Sequence, residues 1–472
     1  MLRFRNTLVI WLLLWTFTAT AQTPAKREFR GAWLHTVYQD GYLKRGTAAN
    51  KEYLRAQLDS LQTAGVNAVF FQVRPQADAF YKSEIEPWSC YLTQDGKAPR
   101  PFWDPLQFMI EETHARGMEL HAWLNPYRVT AGARQVPAPG HIYHKHPERF
   151  LRFGGKLYFD PGLPENRRYI VRVVEDILAR YDIDGLHFDD YFYPYPIKGK
   201  EFPDNKSYAR YGKGMERGDW RRANVDSLIA DVSRAVRRSP RPWVRFGVSP
   251  FGIWRNITSD PRGSATSGLQ NYDRLYADVL LWARRGWVDY LMPQLYWELD
   301  HKAAPYRVLV DWWADNAEGR HIYVGQDVER CADAGELDEK LTLQRRRHEI
   351  GGMCWWPGYA LCGRPEFRQT VPALPPAYPW LESDGPWPVE GVHAEGGRLC
   401  WDSRETAGRA DDAVRYVVYF CPDKEPDIND PTCIAGVTPQ CCFDAERAGY
   451  YCVTALDRVN NESPASECVK VR

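Results

Sequence analysis

The chain of 472 residues carries 61 basic and 61 acidic side chains and no net charge, which argues against a nucleic-acid binder with its basic excess. That length exceeds what one small core organises, so two or three domains are expected. Nineteen Trp and 27 Tyr supply faces that stack on sugars as readily as they fill cores, so their abundance alone does not separate the two uses.

The chain opens with a basic stretch, Met1-Leu2-Arg3-Phe4-Arg5-Asn6, and a short apolar run from Leu8 to Phe17. Ala19-Thr20-Ala21 then places small residues at a cleavage position before Gln22. This is the pattern of a secretory signal peptide over residues 1–21, too short in its apolar part to span a membrane comfortably. No Cys follows the run for a lipid anchor, and no later stretch is apolar enough to cross a bilayer. The expectation is an exported, soluble mature protein, periplasmic or extracellular.

From Arg30 to about Tyr359 a short apolar run ending in polar or aromatic residues alternates with an amphipathic stretch. The strand-like runs are Phe29–His35, Ala68–Pro75, Leu120–Arg128, Asp184–Phe188, Val244–Pro250, Val288–Glu298, Ile322–Gln326 and Gly352–Pro357. Helical spacing falls at Tyr53–Leu61, Pro105–Arg116, Glu165–Tyr181, Asp219–Arg238, Leu275–Arg285, Pro305–Asn316 and Leu337–His348. This alternation predicts a (β/α)₈ TIM barrel over residues 28–370. An open doubly wound sheet is the alternative, but no Gly-rich turn follows the first strand, so dinucleotide binding has no support. Long loops after strands three and four, near 129–160 and 191–213, fall on the face where barrels build their clefts.

Prolines 372, 375, 376, 379, 386 and 388 mark a stiff linker over 371–388. Alternating runs at Gly397–Trp401, Val414–Tyr419 and Tyr451–Asp457 then predict a small β-sandwich over 389–472. Seven of the 11 Cys lie there: 400, 421, 433, 441, 442, 452 and 468. Zinc-type spacing is absent, so disulfides are expected, with a pairing that spacing leaves open.

Strand parity gathers polar groups at strand ends. Gln72 and Arg74 share a face in the second strand. His121, Trp123 and Asn125 share one in the third, and His187 and Asp189 one in the fourth. Gln294, Tyr296 and Glu298 share one in the sixth. Four such strands point into one mouth and predict a polar substrate pocket. Asp189-Asp190, ending an otherwise apolar strand, is costly unless a substrate uses it. Glycoside hydrolysis suits this inventory, since acetal cleavage needs an acid at the leaving oxygen and a carboxylate to attack, stabilise or activate water.

Asp189 is assigned as nucleophile or base because its parity faces the barrel axis. Glu298 is assigned as the acid, with its pKa expected to rise between Tyr296 and Trp297. Asp190 is a third carboxylate able to exchange roles with either. Arg74, Arg128, Asn125, Gln72, Gln294 and His187 are candidates for holding hydroxyl or acetamido groups. Trp33, Tyr127, Tyr191, Tyr193, Tyr296, Trp297, Trp355 and Trp356 are candidates for ring stacking. No cofactor or metal is expected. His187 with the Asp pair has ligand chemistry, but His141, His144 and His146 are unevenly spaced in a loop, and no H-x-H lies on the first strand. No G-x-S-x-G elbow supports a serine hydrolase.

Six ordered motifs, Glu28–Trp33, Phe71–Pro75, Ala122–Arg128, Gly185–Pro194, Ser249–Gly252 and Met292–Trp297, resemble the bacterial glycosyl-hydrolase-like ten family over most of residues 28–360. The resemblance implies a TIM barrel among exported or envelope proteins. It implies action on cell-wall glycan, notably strands stripped of peptide, hence β-1,4-linked N-acetylglucosamine and N-acetylmuramic acid. Only the Asp189-Asp190 pair is carried over from the family as catalytic; Glu298 rests on parity. The tail resembles a fibronectin type III module through Trp401, Tyr451–Ala455 and Asn460–Ser463, with more cysteines than such modules carry. The competing functions are a non-catalytic glycan-binding envelope protein and a metal-dependent polysaccharide deacetylase.

Overall fold

The computed structural model describes residues 25–402, 408–409 and 411–472; the expected signal peptide lies outside them. Eight parallel strands close into a barrel: β1 (Phe29–Leu34), β2 (Ala68–Arg74), β3 (Glu119–Leu124), β4 (Gly185–Phe188), β5 (Arg245–Val248), β6 (Tyr290–Leu291), β7 (His321–Asp327) and β8 (Ile350–Trp356). Each pairs with its neighbours in sequence, and β1 pairs with β8 to close the ring. The connections carry helices, which cover the outer face: Gly41–Thr63, Pro105–Ala115, Pro164–Arg180, Arg217–Arg238, Val279–Arg284, Tyr306–Asp315 and Leu337–Arg345 among them. Local chemistry sets their ends. Asp104 caps the second helix by accepting from the N–H of Leu106 and Gln107, and Pro105 fills the position where a missing N–H costs nothing.

Strand six is the correction. The pattern over Val288–Glu298 reads as one long strand, yet only Tyr290–Leu291 joins the ladder. Pro293 has no N–H to donate, and beyond it the chain touches the sheet only where Gln294 bridges Phe251 and Gly325. Period-two parity therefore fails between Gln294 and Glu298. A short helix at Val328–Ala334, not expected from the sequence, follows β7.

Aromatic and histidine rings fill the barrel. Phe29 stacks on Tyr323 at 4.0 Å, and Phe70 lies 4.6 Å from His121 and 4.7 Å from His187. Glycine makes room for them: a Cβ at Gly185 would run into the His121 ring, and one at Gly247 into the Tyr290 ring.

The tail is a small all-β sandwich. A three-stranded antiparallel sheet (His393–Glu395, Arg398–Cys400, Cys442–Asp444) and a four-stranded one (Ile434–Thr438, Arg415–Cys421, Gly449–Leu456, Val469–Val471) enclose a core containing Leu399, Trp401, Val418 and Val453. The Pro-rich stretch 371–388 lies against the closed lower end of the barrel. Tyr378 is buried with its hydroxyl 2.7 Å from that of Tyr323, and Trp380 donates to Asp289.

Barrel and tail meet on a buried charge. The Glu119 carboxylate, at the start of β3, lies 2.6 Å from the Arg245 guanidinium of β5 and accepts from Asn460 and Arg415 of the tail at 2.9 and 3.3 Å. Burial works against its ionised form, but Arg245, the His121 hydrogen bond and Arg415 outweigh it and hold the carboxyl well below the usual range. Glu119→Ala leaves the buried guanidinium of Arg245 without its carboxylate partner. We expect a loss of about 3–5 kcal/mol in denaturant unfolding, because an unpaired buried charge costs more than the pair contributes. A loss below about 1 kcal/mol would show that solvent reaches this junction.

Candidate active site

A cleft with a cavity volume of about 240 Å³ opens at the C-terminal mouth of the barrel. Its walls carry Trp33, Gln72, Arg128, Asp189, Tyr191, Gln294, Tyr296 and Trp356, all expected from the sequence. Five further residues line it: His35, Val37, Tyr38, Trp123 and Ser249. Trp123 shares the polar face of β3, and His35 and Ser249 directly follow β1 and β5, so the strand-end rule could have found all three. Tyr38 carries no such signal. It is 61% exposed, holds φ of 62° and donates its hydroxyl to the Ala131 carbonyl. A non-glycine residue in that strained region is characteristic of functional sites.

Asp189 is the carboxylate on the cleft surface, only 7% exposed. Three donors aim at it. Asn125 Nδ2 donates to Oδ2 at 2.9 Å, the Asp190 backbone N–H to Oδ1 at 2.8 Å and Gln294 Nε2 to Oδ1 at 3.4 Å. Asn125 is itself fixed, because its Oδ1 accepts from Gln72 Nε2 at 2.7 Å and Arg128 Nη2 at 2.9 Å. Gln72 Oε1 in turn accepts the N–H groups of Thr36 and Val37, which ties down the loop after β1.

Asp190 turns away from the cleft and is 2% exposed, with its carboxylate accepting from the Tyr195 hydroxyl. Burial first, and then the charge of Asp189, raises its carboxyl well above the usual carboxylate range. Tyr195 sits in an irregular loop and was invisible to pattern reading.

A second polar chain runs down the barrel axis. Trp33 Nε1 can only donate, and it meets His187 Nε2 at 3.3 Å, so that nitrogen accepts and Nδ1 carries the proton. His187 Nδ1 then donates to the Tyr290 hydroxyl at 3.1 Å, and that hydroxyl donates to His121 Nδ1 at 3.1 Å. His121 Nε2 keeps its proton for Glu119, 3.0 Å away. Both imidazoles are shifted toward the neutral form, chiefly by burial. A donor-only indole at one end and an acceptor-only carboxylate at the other thus fix both tautomers. His187 lies under the cleft floor, where Ser249 Oγ is 3.0 Å from its Nε2.

Other expected site residues stand elsewhere. Arg74 is fully buried, pairs with both oxygens of Glu86 at 2.7 Å and donates to the carbonyls of Asn125 and Pro126. It braces the loop that carries Asn125. Tyr127 and Tyr193 are buried at 0% and 1%, and Trp355 packs edge-on against Phe367 on the outer side of β8. Trp297 packs against Phe251 beside the cleft without lining it. Glu298 does not line it either; its backbone carbonyl accepts from His301 and Tyr306 where the chain turns away after Pro293. Of the loop histidines, His141 caps a turn, His144 meets the Pro137 carbonyl and His146 meets Glu148. Among the described residues no cluster of three or more His, Cys, Asp or Glu has metal-holding geometry.

The profile of the family described as Glycosyl hydrolase-like 10 matches residues 28–342, a span that holds the barrel through β7 and every residue of the Asp189 network. The chain belongs to this family. It is 36% identical to "Glycosyl hydrolase YngK" of Bacillus subtilis (strain 168), covering 98% of each chain, tail included. It is 40% identical to "Glycosyl hydrolase DigH" of Escherichia coli (strain K12), over 75% of this chain and 88% of that one. Among solved structures, the PgaB (BpsB) glycoside hydrolase domain from Bordetella bronchiseptica aligns over 72% of this chain and 97% of its own, at 13% identity and a TM-score of 0.46. The protein is thus a glycoside hydrolase by family, and the cleft at the barrel mouth is its candidate active site.

Asn125→Ala removes the donor that holds Asp189 and frees the partners Gln72 and Arg128. We expect kcat to fall roughly 10²-fold with KM little changed, since the aromatic walls stay in place. A rise in KM at constant kcat would assign Asn125 to binding alone.

Proposed function

We propose that this protein is an exported glycoside hydrolase that cleaves the glycan strands of peptidoglycan, with Asp189 acting on the sugar and Asp190 holding the proton beside it. The observation that carries the reading is the pair itself. One carboxylate faces an aromatic-walled cleft, and its sequence neighbour is buried behind it, where burial and the adjacent charge raise its pKa. Acetal cleavage needs a negative charge beside the sugar cation, and Asp189 offers it at the cleft surface with Asp190 turned away behind it.

The walls suit a pyranose. Trp33, Trp123, Trp356, Tyr191 and Tyr296 offer flat apolar faces to C–H-rich ring surfaces. His35 is held neutral by burial, which pushes its pKa down to about 4. Gln39 Nε2 donates to its Nε2 at 2.8 Å, so Nδ1 carries a hydrogen, which is buried and has no hydrogen-bond partner among the described residues. The choice of cell-wall glycan follows from the family resemblance. Export follows from the leader-like start of the chain, and the Cys400–Cys442 disulfide suits an oxidising compartment.

Purified protein incubated with peptide-free glycan strands should release shorter saccharides, resolved by chromatography and mass spectrometry. Asp189→Asn should cut that rate roughly 10²–10⁴-fold while leaving the thermal transition in place. Full turnover by this variant would remove Asp189 from the chemistry. Retention of glycan with no product from any member of a glycan panel would make the protein a binder.

The raised pKa also sets a sign for the pH dependence. The pair is active while it keeps its proton, so the rate should fall as pH rises through the elevated value of Asp190. Asp190→Asn, which has no proton to lose, should flatten that alkaline limb. An unchanged limb in the variant would place the titrating group elsewhere.

A further inference from the structure

Cysteines on the four-stranded sheet of the tail repeat the geometry of a bond already present. The Cys400–Cys442 disulfide joins residues directly opposite each other in antiparallel strands. In the other sheet, Gly449 stands opposite Val471, Tyr450 opposite Lys470 and Tyr451 opposite Val469. Continued one residue beyond Tyr451 and Val469, that register would set Cys452 opposite Cys468. Opposed antiparallel residues have Cα atoms about 4.5–5.5 Å apart, within the span a disulfide bridges. Both cysteines pack into the cluster of Val417, Tyr419 and Leu456.

We propose that Cys452 and Cys468 form a second disulfide of the tail, which closes the loop that docks the tail onto the barrel. Within that closed loop Arg458 donates to Asp182, and Asn460 donates to the buried Glu119. The bond also pins the three-residue strand Val469–Val471 at the end of the chain.

The competing partner, Cys433, precedes the strand Ile434–Thr438. That strand lies across the central strand Arg415–Cys421 from Cys452. Two strand spacings come to roughly 9.5 Å, beyond the reach of a disulfide. Cys441 faces the Tyr416 hydroxyl in the other core of the tail.

Formation needs an oxidant, and a small disulfide or the disulfide of an envelope thiol oxidase supplies it. Cys468 is the more exposed of the pair, since Cys452 is 1% exposed. The Cys468 thiolate attacks the oxidant's disulfide, forms a mixed disulfide and releases one thiolate. The Cys452 thiolate then attacks Cys468 Sγ and releases the second. Two electrons pass to the oxidant, and its two thiolates take up the two protons that the cysteines lose.

The test is independent of the glycosidase and export readings, because it uses purified full-length protein equilibrated with oxidised glutathione. After acid quench and alkylation, trypsin cuts at Arg458 and puts the two cysteines on separate peptides. The expected result is one linked pair, Cys452 with Cys468, that reductant splits. Hydrogen exchange through residues 457–463 should be faster in Cys468→Ser than in the oxidised parent. Cys452 alkylated before reduction, Cys452 linked to Cys433, or equal exchange in the two proteins would each overturn the proposal.

Discussion

A carboxylate held 7% exposed at the mouth of a barrel has to be supplied with donors by the protein, because water no longer does it. Asp189 receives them from the ends of two other strands and from its own neighbour's backbone. Each donor is committed in turn. Asn125 has one orientation that satisfies Gln72, Arg128 and Asp189 together, and Gln72 has one that satisfies Asn125 and the loop after β1. The loop position, the amide orientations and the carboxylate are therefore solved as a single hydrogen-bond problem. Such a network resists rearrangement, which suits the catalytic role proposed for Asp189.

The same logic runs along the barrel axis. Histidines and a tyrosine in a barrel interior are expensive, and here each is satisfied by a chain whose direction is set at both ends. The lower end of that chain is Glu119, the carboxylate that also receives Arg245 of the barrel and Arg415 and Asn460 of the tail. The tail is thus docked onto the acid that completes the barrel's polar axis, and the segment 371–388 is pinned beside it through Tyr378 and Trp380.

Much of this was legible in the sequence. Strand alternation has a period of two and survives any loop length, so the eight barrel strands, the polar mouth and the different orientations of Asp189 and Asp190 could all be read. Parity reports which face a side chain takes, not how deep it lies. That is why Arg74 reads like Gln72 yet braces a loop against Glu86. It also fails where the ladder stops, and Pro293 stops it before Glu298, so the expected partner acid has its place outside the cleft. Tyr195 and Tyr38 sit on irregular backbone that carries no period. The prolines of 371–388 read as a spacer, but the buried aromatics among them fix it to the barrel. Cysteine spacing left the pairing open because pairing depends on strand register, which appears only once the strands are laid side by side.

The central claim is that the sugar's reacting carbon meets Asp189. A crystal structure of the Asp189→Asn variant soaked with a cell-wall glycan fragment tests it most directly. The account predicts a sugar ring between the walls of Trp33, Trp123, Trp356 and Tyr296, with its anomeric carbon about 3–3.5 Å from the side chain at position 189. Saccharide bound elsewhere on the protein, or in the cleft with its glycosidic bond turned away from position 189, would contradict it.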